Sequence, residues 1–257
     1  MKDTAYSRGL FITGTDTGVG KTMVAGGLAA VLREDGFDVS VMKPAETGCL
    51  MDDRGMLLPA DGEFLRHMSG TKEPLERIVP YRFKEPLAPA VAAELEGITI
   101  DIDKVVKIFE AQSNRHEFVL VEGAGGLLVP FYRDFLILDL INLLKLPILI
   151  ISRASLGTIN HTLLTVRCAQ AANIPVAGIV INNVSPEKSI AAKTNPEVIA
   201  RLTDAPIRGI LPYRRDLTTH KFCEKKLIAL IREYLPLESL YALIRRKQLK
   251  RRKITDG

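Results

Sequence analysis

Gly14-Thr15-Asp16-Thr17-Gly18-Val19-Gly20-Lys21-Thr22 is the stretch on which the reading of this sequence turns. It follows an apolar run at 10–13 and precedes residues 23–32, whose apolar positions recur at helical spacing. Strand, glycine-bearing turn and helix, in that order, form the setting in which Gly-Lys-Thr marks a phosphate site. Glycines permit a turn tight enough for successive N–H groups to converge on an anion, and the helix N-terminus adds partial positive charge. Lys21 is then placed to reach the β- and γ-phosphates, and the Thr22 hydroxyl to ligate Mg²⁺. The spacing departs from strict G-x-x-x-x-G-K-T, because Thr15 stands where the first glycine belongs and Gly14 lies one residue earlier. A glycine turn that merely caps a helix is the competing reading, and the correctly placed Lys and Thr after a strand disfavour it.

Working outward, apolar runs at 10–13, 39–43, 118–122, 147–152, 176–182 and 207–211 read as strands. Helices are predicted at 21–34, 102–112, 135–144, 159–172 and 196–202. The strands are almost continuously apolar, as expected of strands buried on both faces. The pattern predicts an α/β fold: one doubly wound, mostly parallel sheet with helices on both faces. In such a sheet the loops after the strands gather along one edge, where ligands bind. No internal repeat or Ser/Gly linker interrupts the chain, so residues 1–257 read as a single domain of this type. An extended helical tail starts at about 217, with predicted helices at 225–234 and 237–249.

Bulk composition restricts the function classes. Hydrophobic residues at 47% and charged residues at 25% are those of an ordinary soluble globular protein. Residues 1–8 are polar and the apolar run after them is too short for a signal peptide. The longest later apolar stretch, 143–151, is broken by Lys145 and Pro147 and falls short of a membrane span. Cys49, Cys168 and Cys223 are odd in number and widely separated, which predicts reduced thiols in a cytoplasmic protein. The net charge of +5 is a tail property, since residues 245–253 hold seven cations and no acid; without them the balance is −2. Such a run reads as a solvated helix end, with a nucleic-acid or anionic-surface contact as the alternative.

Other residues gather on the predicted edge. Glu122 ends a buried strand in Val121-Glu122-Gly123-Ala124-Gly125-Gly126, where an acid is costly unless a cation meets it. It is a candidate Mg²⁺ ligand or water-mediated partner opposite Thr22, against the plainer reading of an acid exposed at a strand tip. The glycines after it, Gly125 among them, let backbone N–H groups approach an anion. Asp61 is either a second metal carboxylate or a helix cap. Lys43, before Pro44, brings a second lysine to the edge, which suits a reaction whose charge accumulates on a transferring phosphoryl group.

These pieces occur in the order found in one family. The chain resembles the dethiobiotin synthetases from about Gly9 to Tyr213. The motifs that carry the resemblance are the phosphate loop, Lys43-Pro44 with Thr47-Gly48, Asp61, Glu85-Pro86-Leu87-Ala88-Pro89, and Glu122 with its glycines. Leu156-Gly157-Thr158-Ile159-Asn160-His161-Thr162, 177–183 with Asn182-Asn183, and Leu211-Pro212-Tyr213 complete the series. The resemblance implies a P-loop fold and an ATP-dependent cyclo-ligase acting on 7,8-diaminononanoate and CO₂ with Mg²⁺. A carbamate forms on one amine, ATP phosphorylates it, and the neighbouring amine displaces phosphate to close a ureido ring. Carried over, Thr22, Asp61 and Glu122 organise Mg²⁺, while Thr17, Gly18, Val19, Gly20, Lys21 and Gly125 surround the phosphates. Lys43 and Thr47 face the carbamate and γ-phosphate, with Lys21 sharing the catalytic role. Asn182 reads the adenine edge beside Pro212 and Tyr213. The resemblance also implies a homodimer, in which the loop before the helix at 159 receives the substrate carboxylate across the interface. No membrane or nucleic-acid partner is expected, and His67, His116, His161 and His220 are expected to be bystanders.

Two rivals share the nucleotide loop. A related amidoligase usually adds a glutaminase domain, for which too little chain follows Tyr213, and no cysteine is expected beside a helix start and a histidine. A partitioning-type ATPase switch places a lysine five residues before the loop lysine, and here that residue is Asp16.

Overall fold

Strand β1 (Gly9–Gly14) lies inside a six-stranded sheet and is buried along its whole length. The computed structural model describes residues 8–186, 190–219, 222–238 and 241–242. The other five strands are β2 (Val39–Met42), β3 (Phe118–Glu122), β4 (Ile148–Arg153), β5 (Val176–Asn182) and β6 (Ile207–Leu211). Their order is β6-β5-β4-β1-β3-β2, and every neighbouring pair is parallel. The chain winds from β1 to the β2 edge, returns through β3, and crosses to the other side through β4. The order therefore reverses beside β1, which puts the loop after β1 at the crevice where ligands bind in such sheets.

Alternation along β1 divides the core between the two faces of the sheet. Leu10 and Ile12 pack with α1 (Lys21–Glu34), α2 (Ala60–Ser69) and α8 (Glu224–Tyr234). Phe11 packs on the opposite face, whose cover includes α3 (Pro89–Leu95), α4 (Ile102–Arg115), α5 (Ile137–Leu144), α6 (Thr158–Ala171) and α7 (Ile190–Leu202). Each fully buried Leu, Ile or Phe contributes roughly 1.5–3 kcal/mol of burial free energy, so the two layers hold the sheet edge in place.

The predicted strands occur within one residue of their expected ends, and α1 has its expected bounds. Where structure and expectation part, local cues had been outweighed. Pro196 reads as a helix start because its ring suits a first turn, yet α7 begins at Ile190 and runs through it. Asn195 anchors this segment from its side chain, donating to Ala154 O at 3.2 Å and Ser155 O at 3.3 Å. Residues 135–136, expected in a helix, instead pair with 130–132 in a short antiparallel ribbon. A helix after Asp61 was implied without bounds and appears as α2, whereas α3 and a parallel pair formed by Ala45–Thr47 with Tyr81–Phe83 were not foreseen. Three residues are too few to show a period of two.

The C-terminal segment is part of the core. α8 packs on α1, where a Cβ on Gly27 would lie 2.6 Å from Ile231 Cγ1. Cys223 occupies the N-cap of α8, so the helix-start part of the expectation that no cysteine lies beside both a helix start and a histidine does not hold. The basic run 245–253, His220 and most of the helix predicted at 237–249 lie outside the described residues. Among the described residues, no helix is long and apolar enough to cross a membrane.

Candidate active site

The turn after β1 owes its shape to glycines at two left-handed positions, Gly18 at φ +73° and Gly20 at φ +92°. Gly20 is the N-cap residue of α1, and the first turn of α1 carries no acid to oppose the helix dipole. Lys21, buried, donates from Nζ to Asp16 O at 3.1 Å. Burial pushes its pKa down, with the charge of Glu122 opposing that shift. Asp16 secures the loop in turn: Oδ1 accepts from Thr17 N at 2.7 Å, and Oδ2 pairs with Arg153 at the end of β4.

Glu122 is the hub of the site. It ends β3 with 1% of its surface exposed, which rules out the solvent-exposed strand tip. Its Oε1 accepts from Thr22 Oγ1 and from Lys43 Nζ, both at 2.8 Å. Lys43 Nζ also pairs with Asp61. Desolvation disfavours the Lys43 ammonium, but the charges of Glu122 and Asp61 outweigh it and hold the pKa above the ordinary lysine range. Among the described residues, Glu122 Oε2 is buried without a hydrogen-bond partner. A buried anionic oxygen left unpaired is costly, so it suits a cation delivered with a ligand. Thr22, Asp61 and that oxygen are hard donors of the kind Mg²⁺ takes, usually through one or two carboxylates beside phosphate oxygens.

Asp61 is not a helix cap. It lies in the first turn of α2, whose N-cap residue is Pro59. The Asp61 and Gly62 amides donate instead to Glu46, whose pKa burial pushes up to about 7.

These groups face a cavity of about 910 Å³, within the range of small-molecule sites. Its lining brings together Thr17, Gly18, Gly20, Lys21, Thr22, Lys43, Thr47, Asp61, Glu122, Gly125, Asn182, Pro212 and Tyr213. Val19 is the exception: its side chain is buried in the core, and its carbonyl accepts from Asn182 Nδ2 at 2.9 Å. The sequence reading missed Glu46, Arg214 and Arg215, and a wall made by Leu217, Leu227 and Ile231, and it gave the motif at 85–89, whose residues 86–89 line the cavity, no role of its own. Glu46 had one legible signal, its place between Lys43 and Thr47. The wall had none, because α8 reaches the cavity only through tertiary packing on α1.

Residues 154–157 do not line this cavity, and Leu156 there is 88% exposed. Among the described residues, the histidines stand apart from the lining as well. His116 bridges Asp38 and the buried Glu73, and His67 contacts Glu224 and Phe222.

Gly20→Ala tests the loop directly. A Cβ there would lie 2.1 Å from Asn182 Nδ2 at a left-handed φ. The expected result is a loss of about 1–3 kcal/mol in unfolding free energy, with ATP affinity reduced at least tenfold by calorimetry.

Comparison with known proteins places this geometry. The AAA-domain family profile matches residues 8–221. Solved structures of the cell-division protein MinD resemble the fold: that of Aquifex aeolicus at TM-score 0.51 and 16% identity, covering 94% of this chain and 97% of that one. The Mg-ADP complex of MinD from Pyrococcus horikoshii has TM-score 0.52 and 14% identity, covering 86% of each chain. Curated relatives are nearer in sequence. The ATP-dependent dethiobiotin synthetase of Thermodesulfovibrio yellowstonii is 43% identical over 84% of this chain and 93% of its own. That of Anaeromyxobacter dehalogenans (strain 2CP-C) is 47% identical over 82% and 92%, and that of Bacillus subtilis (strain 168) is 44% identical over 82% and 90%. At that identity over most of both chains, the chain belongs to the dethiobiotin synthetase family.

Proposed function

We propose that the cavity carries out ATP-dependent closure of a ureido ring on 7,8-diaminononanoate, and that the chain acts as one P-loop α/β domain in the cytoplasm. The chain is an ATP-dependent ligase of the dethiobiotin synthetase type. One substrate amine attacks CO₂ and loses a proton to give a carbamate. A carbamate oxygen takes the γ-phosphoryl group, releasing ADP and forming a carbamic-phosphoric anhydride. The second amine then attacks the carbonyl carbon, the bond to the phosphate oxygen breaks, and phosphate and a proton leave. Phosphate is already a good leaving group, so no nucleophile–base triad is required.

The residues divide this work by charge. Lys21 and the amides of 17–22 hold the phosphates, with Thr17, Gly18 and Gly20 shaping the turn and Gly125 closing it from the β3 side. Lys43 sits where charge spreads over the transferring group, with Thr47 beside it to orient the carbamate. Thr22, Asp61 and Glu122 would hold Mg²⁺, which when bound neutralises phosphate charge. Asn182, Pro212 and Tyr213 frame the adenine. The loop at 154–157 serves the substrate carboxylate of a second copy in a homodimer, consistent with its exposure and its distance from the lining of its own cavity.

The convergence of Lys43 and Thr22 on one buried carboxylate, Glu122, with Asp61 joined to it through Lys43, carries this reading. Purified protein incubated with diaminononanoate, labelled bicarbonate and MgATP should place acid-stable label in a cyclic urea, with ADP and phosphate formed in equal amounts. ATP hydrolysis that responds to DNA and ignores the diamine would overturn it.

A further inference from the structure

Helix α2 carries Asp61 into the cavity, yet its own start supplies no side-chain cap. The N-cap residue is Pro59, whose ring has no hydrogen-bonding atom. First-turn amides of a helix have no partners within the helix, and an N-cap side chain commonly accepts from the second or third of them. Here those two are Asp61 and Gly62, and both donate to Glu46, one to each carboxylate oxygen, at 2.9 Å. Glu46 lies fifteen residues before Asp61. Its strand, Ala45–Thr47, is paired in parallel with Tyr81–Phe83, and its side chain is buried. The cap is therefore fastened to the same short strand whose flanks carry Lys43 and Thr47.

The fit leaves little freedom. Gly62 can approach only as glycine, since a Cβ would lie 2.1 Å from Val79 Cγ2 and 3.5 Å from Glu46 Oε2. Lys43 forms its ion pairs with Glu122 and Asp61, and Glu46 is not among its direct partners. The contact Glu46 makes is with the backbone that presents Asp61.

We propose that Glu46 is a positioning residue for Asp61, fixing the first turn of α2 so that the Asp61 carboxylate meets Lys43 and the metal ion. The proposal rests on the reading of Asp61 as a Mg²⁺ carboxylate. Outer groups that orient metal ligands change metal affinity by about 10–100-fold when removed, which sets the scale of the test.

Two substitutions in the full chain separate reach from charge. Glu46→Gln keeps the length and an acceptor but loses the charge, whereas Glu46→Asp keeps the charge and falls short. Pro59→Ser, added to Glu46→Asp, supplies a local cap for the same amides. Binding of a non-hydrolysable fluorescent ATP analogue is measured in EDTA and across a Mg²⁺ titration, beside turnover and melting temperature, with Asp61→Asn as reference. Glu46→Asp should raise the Mg²⁺ concentration needed for half-maximal tightening about tenfold, with binding in EDTA unchanged. The Pro59→Ser double variant should return to within about threefold of the parent, and Glu46→Gln, which still accepts from one of the two amides, should fall between the parent and Glu46→Asp. The reverse ranking, with Gln impaired and Asp not, would make Glu46 a charge partner and overturn the proposal. So would a Glu46→Asp response equal to the parent's while Asp61→Asn shifts the Mg²⁺ requirement. An Asp61→Asn variant with an unaltered Mg²⁺ response would instead remove the metal reading of Asp61, and the positioning role with it.

Discussion

Lys43→Ala should lower kcat by about 10²–10³-fold while leaving the KM for ATP within about threefold, as steady-state kinetics would show. The asymmetry follows from where Lys43 sits. Its Nζ is held by Glu122 and Asp61, and in the proposed function it acts where charge develops during transfer rather than in gripping the phosphates. The same substitution removes the cation facing Glu122, a carboxylate with 1% exposure. Breaking a buried pair by deleting one partner costs about 3–5 kcal/mol. The variant should therefore melt earlier as well, and saturating MgATP should recover part of that loss by binding the folded state. An unchanged kcat would dismiss Lys43 from the transition state.

Lys21→Ala is expected to behave differently in both respects. On the proposed reading Lys21 meets the phosphates in ground and transition states alike, so affinity and turnover should fall together, by about 10³-fold in kcat/KM, or roughly 4 kcal/mol. Its partner without ligand is the Asp16 carbonyl, and burial already pushes its pKa down. Deleting a desolvated ammonium held by a neutral acceptor should leave the melting temperature unchanged or raise it. Two lysines on one sheet edge thus give opposite stability signs. Calorimetric ATP titration and thermal melts of the two variants, run side by side, decide the assignment.

The two sets of residues differ in how they could be read. The strand–turn–helix at 9–34 was legible because every cue in it is local: apolar run, glycines at left-handed positions, then helical periodicity. Glu122 was legible for a thermodynamic reason, since an acid closing the run Phe118-Val119-Leu120-Val121 must meet something cationic. Asp61 was read as a metal ligand or a cap, and only the position of Pro59 at the helix start removes the second option. Its true cap, Glu46, is brought there by the folding of 45–62 back upon itself.

By itself the sequence determined the parallel sheet, the phosphate loop and the list of charged groups bound for one rim, because burial and backbone geometry act over a few neighbouring residues. Only the tertiary structure decided which group meets which: Glu122 with Lys43 and Thr22, Glu46 with the amides of α2, Arg153 with Asp16, and α8 against α1. Pairings across 79 or 100 residues depend on distances that no local pattern encodes. Electrostatic energy scales with those distances and with the surrounding dielectric, so the chemistry of the site is a property of the assembled fold.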